Sequence, residues 1–347
     1  MRLWIVSLMV AVSTLVSAGK VFAGEELRFG NWPRYYPPEL LARFEKETGI
    51  KVKLTEYDSD AAMANKIRAG GSDYDVVIVS DLYVHTLSRQ KLIQKLDKTF
   101  LPNMANILPD YKVPAADPGR DYGMPYLIVT TGLVYDTAQV PGGKLPETWK
   151  TFFEPPAFLR GKVAALDVEE EMYMAAAWYL GLDECTEKPA DAKRILKVLL
   201  DQKPAVLTYA NDGMVERLRS KQVILQHDWS DDPLRHHDEV PTITFMFPKE
   251  GVHAYLDNFV IPIGARNTKN AHRFINWMME PRNIAVASNY NKYRNVIAGS
   301  GAYLSADLKT DPTLNPSPEI LKRIRPMKIC SPAAMDLRNK VWVKLKS

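Results

Sequence analysis

The chain has 347 residues, 46% hydrophobic and 25% charged, with 45 Lys plus Arg against 41 Asp plus Glu and two cysteines. This balance excludes a disordered chain, which lacks apolar residues, and a disulfide-rich scaffold, which needs many more cysteines. A formal charge of +4 without a concentrated basic stripe gives no reason to expect nucleic acid or anionic lipid as partner.

The first element in chain order is a leader. Arg2 precedes an apolar run from Leu3 to Val16, and Val21-Phe22-Ala23 supplies an A-x-A-like cleavage site before Gly24. Interrupted by Ser7, Ser13, Thr14 and Ser17, the run falls short of the roughly 20 apolar residues that span a bilayer. Residues 1–23 therefore read as a cleaved signal peptide, and no Cys near the site points to a lipid anchor. Removing Arg2 and Lys20 takes the charge from +4 to +2 and leaves 324 residues, 347 minus 23, for export to an oxidising compartment. Cys185 and Cys330 permit one long-range disulfide there or stand as separate thiols, since spacing does not fix their approach.

After the leader the patterns alternate. Leu27-Arg28-Phe29 reads as a short strand. Pro37-Pro38 opens a helix with Leu40, Leu41 and Phe44 on one face, stopped by Gly49. Val52 to Tyr57 has the period of a strand; Asp58 to Asp60 caps a second helix carrying Met63 and Ile67, closed by Gly70-Gly71; and Asp75 to Val79 is a continuous apolar strand. Further on, Gly161 to Leu166 predicts a buried strand feeding an acidic helix start at Asp167 to Glu171, with Met172 to Leu180 as its body and Gly181 as its stop. Val223-Ile224-Leu225, Thr242 to Phe247 and Asn258 to Pro262 predict strands, and Asn270 to Glu280 a helix. The class is α/β, and 324 residues exceed what one core usually holds, so two domains are expected.

Motifs of catalysis are absent: no G-x-S-x-G, H-E-x-x-H, G-x-x-x-x-G-K-[ST] or G-x-G-x-x-G occurs. Gly299-Ser300-Gly301 reads as a turn. His236-His237 is the nearest approach to a metal pair, but adjacent residues rarely point at one ion and no third ligand recurs at helical spacing. No cofactor, metal or catalytic residue is expected. An exported enzyme acting on small amines stays as a rival.

The segment from Asn31 to Pro38, followed by Phe44-Glu45-Lys46-Glu47-Thr48-Gly49-Ile50-Lys51-Val52, resembles the start of mature periplasmic polyamine-binding proteins, the spermidine/putrescine receptors of ABC importers. The resemblance continues in order through Tyr74-Asp75-Val76-Val77, Tyr122 to Tyr126, Pro248 to Gly251 and Leu256 to Pro262. It implies a two-lobed periplasmic binding protein fold, type II-like, each lobe a mixed sheet flanked by helices. The expected lobes are residues 24–131 plus 258–303 and residues 132–257 plus 304–347. It also implies a periplasmic monomer that hands its ligand to the permease subunits of an ABC transporter.

A linear polyamine requires carboxylates spaced along a slot for its ammonium groups and aromatic faces for its methylenes. The resemblance implies that Trp32, Tyr35 and Tyr255 line the slot, that Asp257 pairs with one amine, and that Glu171 pairs with another from the opposite lobe. Ser80 and Asp81 follow the strand Asp75 to Val79, where open α/β sheets place ligands. Several positions depart from the family: Arg34 and Pro33 stand where an acid and a hydroxyl residue are usual, Asp228 followed by Trp229 where a Trp is usual, and Val168 between Asp167 and Glu169 where a second acid is usual. An inward Arg34 repels an ammonium, so it points outward or clamps an anion. The second case suits a zwitterion such as an aminoalkyl carboxylate or phosphonate; Asp228, by restoring negative charge, keeps a diamine viable, and Glu169 is a further candidate for ligand contact.

Overall fold

The computed structural model describes residues 25–33, 35–70 and 73–347. The expected leader and Arg34 lie outside the described residues. Strands β1 (Glu26–Asn31), β2 (Lys51–Glu56), β3 (Val76–Ser80), β4 (Met124–Asp136), β5 (Val163–Ala165), β6 (Val206–Tyr209), β7 (Leu225–Trp229), β8 (Ile243–Met246), β9 (Val252–Val260) and β10 (Ile324–Pro326) follow one another along the chain. They form one ten-stranded sheet of order β2-β1-β3-β9-β4-β7-β5-β6, with β10 on β9 and β8 on β4. The outer strands pair in parallel, β1 with β2 and β3 and β5 with β6 and β7. The middle is antiparallel, β4 lying against β9, β7 and β8.

That arrangement follows from helical crossovers at each end of the chain's two halves. Helix Pro38–Thr48 begins with proline where no N–H partner is lost and ends at Gly49, whose φ of 74° a Cβ would strain. It buries Leu40 and Phe44 against β1 and returns the chain in parallel to β2. Helix Asp60–Arg68 is capped by Ser59, whose hydroxyl accepts the Ala62 N–H, and it leads to β3.

Apolar side chains collect in separate cores. One contains Leu27, Phe44, Val76, Tyr126, Phe259 and Phe274. The other large one contains Leu133, Trp149, Val163, Leu225, Val252 and Leu345, and two smaller clusters gather around Met63, Val79 and Val260 and around Ile128, Leu256 and Val296. The chain passes from the first core to the second along β4, between Val129 and Leu133, and returns along β9, between Val252 and Phe259. Gly132 sits at the crossing: a Cβ there would lie 2.5 Å from Phe245 Cζ and 2.8 Å from the Met246 carbonyl oxygen, so β8 closes on β4 only over glycine. Cys185 and Cys330 are joined as a disulfide with Cα atoms 5.0 Å apart, which ties the segment before the C-terminal helix Pro332–Lys346 to the second core.

Three strands differ from the expected ones. The strand expected at Val223 starts at Leu225 and runs on to Trp229, and the one expected at Asn258 starts at Val252. β4 lacks any periodic signal because all thirteen of its residues are buried, with strands on both sides removing the alternation a half-exposed strand shows.

Candidate functional site

The expected site residues gather where the ends of β1 and β3 meet β9, one wall, and where helix Glu169–Tyr179 and the end of β7 approach them, the other. At the end of β1, Asn31 is fully buried and closes a turn on itself: its Oδ1 accepts the Trp32 N–H at 2.8 Å and its Nδ2 donates to the Tyr35 carbonyl at 3.1 Å. The Tyr126 hydroxyl donates to the same carbonyl at 2.8 Å. This turn stacks Trp32 edge-on to Tyr35 at 5.3 Å and tilted against Tyr57 at 5.7 Å.

Successive side chains alternate across a strand, so His253, Tyr255 and Asp257 of β9 project to one face. Asp257 is almost wholly buried, and its Oδ2 accepts the Tyr35 hydroxyl at 2.5 Å while its Oδ1 has no partner among the described residues. Burial pushes its carboxyl well above the usual range; the Tyr35 hydroxyl opposes this, and Asp60 and Asp81 add to it. Register places Ser80 beside Asp257. The Ser80 hydroxyl donates to Asp60 Oδ2 at 2.6 Å, while Asp60 Oδ1 is buried with no partner among the described residues. Burial pushes Asp60 up to about 7 and Asp81, the first residue of helix Asp81–Arg89, up to about 6. The Tyr255 hydroxyl is pushed well above its ordinary range by burial, with the charges of Glu171, Asp257, Asp60 and Glu170 adding to it.

The opposite wall differs in how its acids are used. Glu169, Glu170 and Glu171 occupy the first turn of their helix, where its dipole favours negative charge, and each turns a different way. Glu169 accepts from Arg338 Nε at 3.1 Å and Asn339 Nδ2 at 3.3 Å, on the C-terminal helix. Glu171 is buried, accepts the Thr131 hydroxyl at 2.9 Å and lies 3.5 Å from His253 Nδ1. Burial pushes the Glu170 carboxyl up, and its charge acts on Tyr83, Asp60 and Tyr255. Asp228, fully buried in β7, accepts the Gln226 amide and, at 2.8 Å, the Trp229 N–H. Trp229 packs against the first core, and its Nε1 is buried with no partner among the described residues.

Of the expected residues, Trp32, Tyr35, Ser80, Asp81, Tyr255 and Asp257 are thus brought together, with Glu171 across from them. Glu169 turns instead to Arg338, because three neighbouring helix positions point about 100° apart. Asp60, Glu170 and His253 were not singled out in the sequence. His253 alone carried a legible signal, its place two and four residues before Tyr255 and Asp257 on one strand face. His236 bonds Glu239 at 2.9 Å, and no cluster of His, Cys, Asp or Glu among the described residues is placed to hold a metal.

Two large cores joined by shared strands, with a buried group of acids and aromatic rings where β1, β3 and β9 meet helix Glu169–Tyr179, fit a two-lobed solute-binding protein. The chain belongs to the bacterial extracellular solute-binding proteins, whose family model matches residues 39–316. It is 30% identical over 332 residues to the putrescine-binding periplasmic protein SpuD of Pseudomonas aeruginosa, covering 91% of this chain and 90% of that one. It is 28% identical over 361 residues to the putrescine-binding periplasmic protein PotF of Escherichia coli, covering 99% and 98%. A solved putative spermidine/putrescine ABC transporter protein from Listeria monocytogenes superposes with a TM-score of 0.85 at 27% identity, covering 93% of this chain and 99% of that one.

Proposed function

We propose that this protein is a periplasmic receptor that captures a linear polyamine, putrescine or spermidine, between two lobes and delivers it unchanged to an ABC permease. The observation that carries this reading is Asp257: a buried carboxyl with one unpartnered oxygen, electrostatically coupled to Asp60 and Asp81 and flanked by Tyr35 and Tyr255. A buried carboxylate without a partner is costly, and a desolvated ammonium returns both its charge and its hydrogen bond. The relatives named as putrescine-binding support the same solute class. The lobes of this reading follow the two large cores, the chain changing lobe along β4 and back along β9 between Val252 and Tyr255, after export and removal of 1–23. Ligand touching both lobes selects the closed form that the permease recognises, as a monomer and without covalent chemistry.

Calorimetric titration of the ligand-stripped mature protein with putrescine, spermidine and γ-aminobutyrate tests it, alongside small-angle scattering. Tight binding of a polyamine, no heat from the zwitterion and a smaller radius of gyration on binding are expected. Binding of the zwitterion alone, or release of an altered amine, overturns the reading.

A further inference from the structure

His253 is not used in that reading, yet its position is specific. It shares a face of β9 with Tyr255 and Asp257, and its ring centre is 5.2 Å from that of Tyr255. Its Nδ1 lies 3.5 Å from Glu171 Oε1 with both side chains buried, and its Nε2 is buried without a partner among the described residues. The charged groups acting on it are Glu171 and Glu170 from helix Glu169–Tyr179 and Asp81 from helix Asp81–Arg89. On the flanking strands Thr131 and Arg325 stand opposite it in register, and Arg325 turns to the Glu250 carbonyl and the Trp178 ring. Burial opposes a charge on the imidazole, but these acids outweigh it and raise the pKa of His253, while the Glu171 carboxyl, despite burial, is lowered by His253.

Resting on the polyamine reading, we propose that His253 is a specificity-determining residue, an imidazolium built into the slot beside Glu171 that stands in for a ligand ammonium and makes the cleft prefer a short dication to a longer trication. Geometry sets the length scale. Four residues of strand from Asp257 to His253 cover about 13 Å. The nitrogens of an extended four-carbon diamine are about 6 Å apart, so an amine paired with Asp257 leaves the other near Tyr255, among Asp60 and Asp81. The terminal nitrogens of spermidine are about 11 Å apart, which carries its far ammonium onto His253. There it meets a like charge in a water-poor setting and finds Glu171 already paired.

The test is calorimetry of the ligand-stripped wild-type and His253→Gln proteins with putrescine and spermidine at about pH 6 and about pH 8.5, on either side of imidazole titration. The wild type is expected to bind putrescine about tenfold or more tighter than spermidine at the lower pH. That preference shrinks at the higher pH, and His253→Gln removes both the preference and its pH dependence. A ratio of affinities that is the same in both proteins, or a wild type that prefers spermidine, overturns the role of His253 while leaving the polyamine reading intact. Binding of neither amine overturns both. Should the variant fail to fold, histidine NMR of the wild type decides: spermidine, but not putrescine, is expected to lower the His253 titration midpoint, and equal shifts with the two amines refute the proposal.

Discussion

The two walls of the cleft carry acids of the same kind in different conditions. On the wall built from β1, β3 and β9, Asp257 and the adjoining Asp60 each keep a buried oxygen with no partner among the described residues, and burial raises both carboxyls. On the wall built from helix Glu169–Tyr179 and β7, Glu169 is bonded to Arg338, Glu171 to Thr131 and His253, and Asp228 to Gln226 and the Trp229 N–H, while Glu170, between the other two glutamates, is raised by burial. A carboxylate whose lone pairs are satisfied by the protein gains little from a ligand amine, and one held in low dielectric without partners gains much. The contrast teaches that the number of acids in a cleft is a poor guide to its charge-reading power, which depends on how many acceptors remain open.

The largest expected effect therefore belongs to Asp257. Asp257→Asn is expected to weaken putrescine by about 2 to 5 kcal/mol in calorimetry, the range for truncating one partner of a buried charge pair. A loss below about 0.5 kcal/mol would break the contrast, because it would place Asp257 among the acids that the ligand does not use.

Acidity gives the next effect. The folded-state values of Asp60 and Asp81, about 7 and about 6, lie above the ordinary 3.8. The folded protein thus holds protons that the unfolded chain has released, and the stability they supply, complete below about pH 4, is lost as pH rises through 6 and 7. A bound diammonium acts the other way, since it stabilises the ionised carboxylates. Between about pH 5 and pH 8, putrescine affinity is expected to rise by up to about 1.4 kcal/mol per pH unit for each proton displaced, and binding near pH 6 to release protons. Calorimetry in buffers of different ionisation enthalpy measures that release directly; a heat independent of buffer would show these acids already ionised.

Tyr35 sharpens the comparison from within the first wall. Its hydroxyl is the sole donor to Asp257 among the bonds described, and its ring is fixed by the Asn31 turn rather than by the ligand. Tyr35→Phe is expected to lower affinity by about 1 kcal/mol, as for one hydrogen bond to a buried acid, with the melting temperature reporting any separate loss of packing. A tighter-binding variant would mean that the open oxygen of Asp257, not its oriented pair, controls recognition.

How much of this was legible in the sequence depended on how local each cause was. β3 and the helix Pro38–Thr48 were legible because a continuous apolar run and a proline start with a glycine stop act within their own segments. The expectation for Asp257 and Tyr255 came from resemblance to known receptors, and both stand on one face of β9. Asp60 read as part of a helix cap, yet Ser59 is the cap and the Asp60 carboxyl is turned to Ser80, twenty residues away. Among Glu169, Glu170 and Glu171 the sequence offers three acids in one helical turn, and only the docking of that helix against the C-terminal helix decides which faces the cleft. The pairing of His253 with Glu171 spans 82 residues and has no local signature. Local rules thus carried the elements, whereas the partners of the acids came from packing.

Glu169 offers the smallest effect and the sharpest control. Its carboxylate meets Arg338 at 3.1 Å with side-chain exposures of 21% and 12%, so the pair is partly screened and contributes about 0.5 to 1 kcal/mol to stability. Glu169→Gln keeps the side chain's shape and an acceptor for Arg338. It is expected to lower the unfolding free energy within that range and to leave putrescine affinity unchanged to within about 0.3 kcal/mol. A loss of affinity as large as that of Asp257→Asn would mean that the helix presents Glu169 rather than Glu170 to the ligand, a rotation of about 100°. The open and satisfied acids would then exchange roles on that wall. Unchanged affinity with reduced stability is the result that separates an acid serving the fold from one serving the solute.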